Sequence, residues 1–258
     1  MDYYALADSL ASWMRSAVER AGMRGFVVGL SGGIDSAVTA ALSVRAVGTE
    51  NTFGVIMPCH SQGEDADYAA MLAQSLSLAT EVIDLTAACD AFEAGLPEGS
   101  PMAHANIKPR LRMTTLYYIA QSRACLVAGT GNKPEMMVGY FTKYGDGGVD
   151  LEPLGELYKR EVRALARVLD IPEPIITRPP TAGLWPGQTD EGELGITYDE
   201  LDAILDALET GGPMPAPAST VARIQRMIAA SAHKRAMPPT FPVDRSHASE
   251  TRRSTDRT

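Results

Sequence analysis

"FVVGLSGGIDSAV", residues 26–38, decides how the rest of the chain is read. An apolar, β-branched run is broken by Ser-Gly-Gly, and an Asp-Ser pair then opens a helix-forming stretch. Strand, glycine turn and helix in that order make the first half of a βαβ unit, and such a turn is built to hold phosphate. A Walker A loop would place a Lys directly after its glycines to meet the β- and γ-phosphates. No Lys follows Gly33, and the spacing also misses the GxGxxG dinucleotide pattern. What remains is a cradle whose backbone N–H groups converge on an anion, helped by the positive end of a helix. Ser31 and Ser36 add hydroxyl donors. Asp35 would repel phosphate unless a cation lay between them, and Mg²⁺ is the hard ion that bridges carboxylate and phosphate oxygens. A Ser-Gly-Gly turn whose Asp caps the helix would fit the same residues.

Working outward, apolar runs alternate with helical patterns. Residues 3–21 carry Leu6, Leu10, Trp13, Met14 and Ala17 at helical spacing. Strands are expected at 25–30, 52–57, 80–85 and 124–130, and helices at 35–47, 64–78, 106–124 and 156–169. This alternation predicts an α/β fold, a doubly wound parallel sheet of Rossmann-like type flanked by helices. Ligands of such sheets lie beyond the C-terminal ends of the strands. Residues 129–150 and 171–195 are too rich in Gly and Pro for core elements and read as functional loops. "GGPMPAPAST", 211–220, reads as a plain connector. Residues 1–242 are expected to form one domain, and the tail 243–258, almost without apolar side chains, to be disordered.

Composition narrows the function. Hydrophobic residues make up 45% of the 258 and charged ones 21%, the balance of a soluble globular protein. The net charge of −9 disfavours a nucleic-acid partner, which rewards a basic footprint. Cys59, Cys89 and Cys125 are scattered, with no CxxC pair, which points to a reducing compartment and away from zinc or iron–sulfur sites. The start, "MDYYALADSL", is no signal peptide, and no apolar run approaches the ~20 residues of a membrane span. A cytoplasmic protein with no membrane contact is the expectation.

"SGGIDSAV" after a strand resembles the SGGxDS pyrophosphate loop of the N-type ATP pyrophosphatases, whose sheet is of the adenine nucleotide alpha hydrolase type. Those enzymes cleave ATP between its α- and β-phosphates and adenylate a substrate. Later segments resemble one branch of that group, the NAD synthetases. These segments are "NIKPRLRMTTLYYIA" (106–120), "GTGNKPEMMVGYFTKYGDGGVDLEPLGELYKREV" (129–162), "PTAGLWPGQTDEGELGITYDELD" (180–202) and "HKRAMPP" (233–239).

The resemblance implies roles. Gly29, Leu30, Ser31, Gly32, Gly33, Ile34, Asp35 and Ser36 would wrap the ATP phosphates, with Thr130, Lys159 and Thr181 as further ATP contacts. Asp35 and Glu135 would hold Mg²⁺, and both follow predicted strands, so both can reach one edge of the sheet. Arg110, Lys143, Asp150, His233 and Lys234 would bind deamido-NAD (nicotinic acid adenine dinucleotide). Arg110 and Arg112, two apart on a helix, point to different sides, and Arg110 is taken as the ligand-facing one. Asp35, Lys159 and Asp146 would act in catalysis, Asp146 near the incoming ammonia.

The implied reaction is amidation. The substrate carboxylate attacks the α-phosphorus of ATP, giving an acyl-adenylate and pyrophosphate; ammonia then expels AMP and leaves the amide of NAD. The two long loops would exclude water from the adenylate, and no Cys would take part. The phosphate loop begins too early for a preceding glutaminase domain, which suits the ammonia-dependent form; a separate glutaminase partner stays open. A homodimer is implied, with the amphipathic N-terminal helix as a fair contact surface. Another pyrophosphatase, such as a GMP synthetase subunit or a tRNA-modifying enzyme, would share the loop. A nucleotide sensor would keep the glycines without needing Asp35 or Glu135.

Overall fold

The computed structural model describes residues 1–61, 63–181 and 187–243. Its centre is β1 (Gly25–Gly29), paired in parallel with β2 (Thr52–Ile56) on one side and β4 (Cys125–Val127) on the other. With β3 (Thr80–Val82) beyond β2, the strand order is β3-β2-β1-β4. The chain therefore steps outward from β1 to β3 and returns across the sheet to β4. The order reverses between β1 and β4, the place where an open parallel sheet leaves a crevice at its carboxyl ends.

Helices come in chain order: α1 (Tyr3–Ala21), α2 (Ile34–Val47), α3 (Gly63–Ser75), α4 (Thr86–Glu93), α5 (Pro101–Ala105) and α6 (Ile107–Arg123). They continue as α7 (Lys133–Val138), α8 (Lys159–Val168), α9 (Glu173–Ile176), α10 (Asp190–Leu194), α11 (Tyr198–Thr210) and α12 (Ala218–Ala230). The period-2 alternation of β1 sorts its side chains between two cores. Phe26 and Val28 join Met14 of α1, Ala37 and Leu42 of α2 and Leu165 of α8. Val27 turns to the other face and meets Ile119 of α6, Val55 and Val127. Each large apolar side chain among them contributes about 1.5–3 kcal/mol when fully buried. A third cluster, Tyr198, Leu201, Ile204 and Leu205 of α11 with Val221 and Ile224 of α12, packs against Val138 of α7.

The doubly wound parallel sheet is as expected; several details differ. β3 stops at Val82 and is exposed along its length, because it is the edge strand and packs on one neighbour only. The segment 129–150 contains α7, which Asn132 and Glu135 nucleate with a reciprocal capping box. The segment 171–195 contains α9 and α10, and the expected connector ends at Pro217 because Ala218 opens α12. Residues 182–186 and the tail from 244 lie outside the described residues. The inner apolar stripe of α1 (Ala7, Ala11, Met14, Val18) is buried against α2 and α8, while Tyr4 and Trp13 on the same helix stay exposed.

Candidate active site

A cleft of about 580 Å³ opens at the β1/β4 crevice. Its floor is the loop after β1, and its wall the segment after β4. The loop closes on itself: Ser31 and Ser36 approach through their hydroxyls at 3.1 Å, and Ser36 Oγ donates to the Gly33 carbonyl at 2.9 Å. Gly32 has φ +79°, and a Cβ there would stand 2.6 Å from the Asp65 carbonyl of α3. Only glycine meets both demands at low cost.

Beside the loop sits a charged cluster assembled from five elements. Asp35, in the first turn of α2, accepts from Lys159 Nζ at 2.6 Å and from Asn132 Nδ2 at 3.0 Å. Glu135 of α7 accepts from the same ammonium at 3.3 Å and from the Tyr198 hydroxyl at 2.9 Å. That hydroxyl lies 3.0 Å from Asp190 of α10. Lys159 itself is only 1% exposed. The carboxylate of Asp202 in α11 accepts from the backbone N–H groups of Lys159 and Arg160, anchoring the first turn of α8 and fixing the lysine under the two acids.

Burial alone would lower the Lys159 pKa, but Asp35 and Glu135 outweigh it and hold the ammonium above its ordinary range. Desolvation raises the Glu135 carboxyl to about 7, with repulsion from Asp35 and Asp190 adding to it against the pull of Lys159. Desolvation likewise raises Asp190. Three acids thus crowd one lysine, an excess of acid over cation that adds to the rise of Glu135 and Asp190.

The structure brings most of the sequence-predicted residues together. Gly29, Leu30, Ser31, Gly33, Ile34, Asp35, Ser36, Thr130, Glu135, Asp146, Thr181 and Lys234 all line the cleft. Lys234 donates to the carbonyls of Gly139 and Phe141, and Asp146 accepts from the Thr142 N–H at 2.8 Å. Arg110, Lys143 and His233 form a chain on the surface beyond it: Arg110 donates to the Lys143 carbonyl at 3.4 Å, and Lys143 Nζ to the His233 carbonyl at 2.6 Å. Asp150 stands apart, holding the Val127 N–H and the Tyr117 hydroxyl at the end of β4. Arg112, and not Arg110, faces the cleft, its guanidinium bonded to the Met57 carbonyl at 3.1 Å. None of the three cysteines lines the cleft; burial raises the Cys89 thiol to about 12.

The model of the family described as NAD synthase matches residues 6–238. An NH(3)-dependent NAD(+) synthetase of Archaeoglobus fulgidus is 47% identical over 241 residues, covering 93% of this chain and 97% of that one. The chain belongs to the NAD synthase family. Solved structures agree with the membership. The NMN synthetase of Francisella tularensis superposes with a TM-score of 0.87 at 37% identity, covering 94% of this chain and all of that one. An NH3-dependent NAD synthetase of Campylobacter jejuni, in complex with nitrate, gives 0.82 at 31% over 94% of this chain.

Within this NAD synthase site, several contributors lie in the family-resembling segments 129–162 and 180–202 but carry no local physical signal that marks them out. Asn132, Tyr198 and Asp202 act through hydrogen bonds to groups 97, 63 and 43 residues away. Asp190 lies in "GQTDEGE", where an acidic helix start is commonplace. No local pattern distinguishes such residues from ordinary caps and core aromatics.

Proposed function

We infer that this cleft carries out the ATP-dependent amidation of deamido-NAD to NAD with ammonia, through an acyl-adenylate, releasing AMP and pyrophosphate. Family membership supplies the reaction. The observation that carries the residue assignment is the convergence of the Ser31–Ser36 cradle with the Asp35–Lys159–Glu135 cluster at the β1/β4 crevice.

The cradle binds the triphosphate of the co-substrate ATP through Gly29 to Ser36, with Thr130 and Thr181 on the cleft wall beside it. Among the described residues no three His, Cys, Asp or Glu side chains pre-form a metal cage. The excess of acid over cation around Asp35 and Glu135 nevertheless suits Mg²⁺, which characteristically takes one or two protein carboxylates and completes its shell from phosphate and water. Bound there, Mg²⁺ would supply neutralisation of the charge developing on the phosphates.

The chain's own groups do the rest. Lys159 keeps the two carboxylates in register and adds a fixed positive charge beneath the phosphates. Lys234, with Arg110, Lys143 and His233 on the neighbouring surface and Asp150 at the end of β4, receives the dinucleotide. Its carboxylate oxygen attacks the α-phosphorus and pyrophosphate leaves. Asp146 faces the same cleft and accepts the proton that ammonia sheds as it attacks the acyl carbon and AMP departs. Orientation rather than a side-chain nucleophile supplies the rate.

Residues 1–242 act as one synthetase domain, since the third core cluster shares α7 with the crevice. The active species is a homodimer, for which exposed apolar side chains such as Phe92 and Tyr118 offer contacts. The decisive experiment incubates the protein with ATP, Mg²⁺, ammonium and deamido-NAD. NAD, AMP and pyrophosphate should appear in equal amounts; ADP and orthophosphate would refute the scheme. Nicotinic acid mononucleotide as a competing substrate reads out how strongly the distal nucleotide is required.

A further inference from the structure

Among the described residues three cations line the cleft, Arg112, Arg178 and Lys234. Lys234 is engaged with two carbonyls of the 139–141 segment, and Arg112 with Met57 after β2. Arg178 is the one that touches the phosphate loop. Its Nη1 donates to the Gly32 carbonyl at 3.3 Å, and its Nη2 forms an ion pair with Asp65 in the first turn of α3. The guanidinium carbon lies 4.6 Å from the centre of the Tyr68 ring.

This arrangement holds a planar, permanently charged fork against the rim of an anion cradle, oriented by stacking and only 15% exposed. Its partner, Asp65, also lines the cleft. A phosphate entering the cradle competes with that carboxylate for the same donors, and both anions suit bidentate arginine geometry.

We propose that Arg178 is a pyrophosphate-binding residue, whose guanidinium exchanges Asp65 for the β- and γ-phosphates when ATP enters. Asp65 takes the guanidinium back as pyrophosphate departs. The leaving group is thereby neutralised on the side of the cradle away from Lys159, and Asp65 sets how readily it is released. The proposal rests on reading Ser31–Ser36 as the phosphate cradle.

The test titrates Mg²⁺-pyrophosphate into the wild-type protein and into S36A, R178K, R178Q and D65N by calorimetry, beside steady-state kinetics. Loss of binding in S36A checks the cradle itself; if wild type and S36A do not differ, the cradle reading fails first. With that established, R178Q should weaken pyrophosphate about tenfold, the size of one lost charge-assisted contact, and R178K less. KM for deamido-NAD should stay within about twofold, because only the phosphate contact is removed. D65N should tighten pyrophosphate, since the competing carboxylate is gone. Unchanged pyrophosphate affinity in R178Q with a lowered melting temperature would make Arg178 a structural brace and overturn the proposal. Weakened binding in D65N would overturn it equally, and D65N decides the matter if R178Q does not fold.

Discussion

Lys159 has two acids within 3.3 Å and almost no contact with water. Replacing it by Met would keep most of its volume but leave Asp35 and Glu135 facing each other without a cation. Removing one partner of a buried ion pair costs about 3–5 kcal/mol, and K159M should unfold correspondingly earlier in urea while losing NAD formation. Mg²⁺ should raise the melting temperature of K159M more than that of the wild type, because the added cation replaces the lost charge; equal shifts would remove the two-carboxylate metal assignment. Glu152 makes a separate point. Desolvation raises its carboxyl from 4.5 to about 8, although it accepts from the Gly131 N–H at 3.0 Å. The folded state therefore holds this proton more tightly than the unfolded chain does. Stability from this group is full below pH 4.5 and declines as pH rises toward about 8, where the folded carboxyl finally ionises. Denaturant melts at pH 5, 7 and 9 should show a shallower decline for E152Q than for the wild type. Parallel curves would contradict the raised carboxyl.

At the scale of elements, the loop between β1 and α2 depends on a backbone only glycine adopts cheaply. Gly32→Ala combines φ +79° with a Cβ placed 2.6 Å from the Asp65 carbonyl. The left-handed conformation alone costs roughly 1–2 kcal/mol, and the clash pushes α3 away from the cradle. ATP binding measured by calorimetry should be lost in G32A while the far-UV spectrum stays helical and sheet-like. Retained ATP affinity would mean that the cradle tolerates movement of α3. The helices that supply Asp190, Tyr198 and Asp202 show the limits of local reading. α11 is not among the helices expected from the sequence; it carries the Thr197–Glu200 capping box and an apolar stripe, yet nothing in it predicts that Tyr198 will turn toward Glu135. In the same way, "GTGNKPE" reads as a loop by its glycines, and the reciprocal Asn132–Glu135 cap makes Lys133–Val138 helical.

For the whole molecule, association is the open quantity to measure. The inner face of α1 is spent inside the subunit, and the large apolar side chains left for a second copy include Tyr4 and Trp13 on its outer side. Tyr118 on α6 is 74% exposed, a large apolar side chain standing on the helix that also carries Arg112 into the cleft. Light scattering after gel filtration should give twice the mass of the 27.5 kDa chain, and Tyr118→Glu should shift the balance toward the monomer. A wild-type monomer at micromolar concentration would dismiss the dimer. No helix among the described residues is long and apolar enough to cross a membrane.

The sequence by itself determined the alternation of strands and helices, the glycine cradle after β1, and the two acids that follow β1 and β4. These are local facts: periodicity, turn chemistry and first-turn placement act within a few residues of chain. Only the tertiary structure decided that Lys159 lies between those acids, that Arg112 rather than Arg110 faces the cleft, and that Arg178 rests on the phosphate loop. Each of these is set by how helices far apart in the chain pack on one sheet. Lys159 and Asp35 are 124 residues apart, and Arg178 and Gly32 are 146 apart. Contacts at that separation leave no trace in any short window of sequence, because the partner's identity depends on the crevice that the strand order creates.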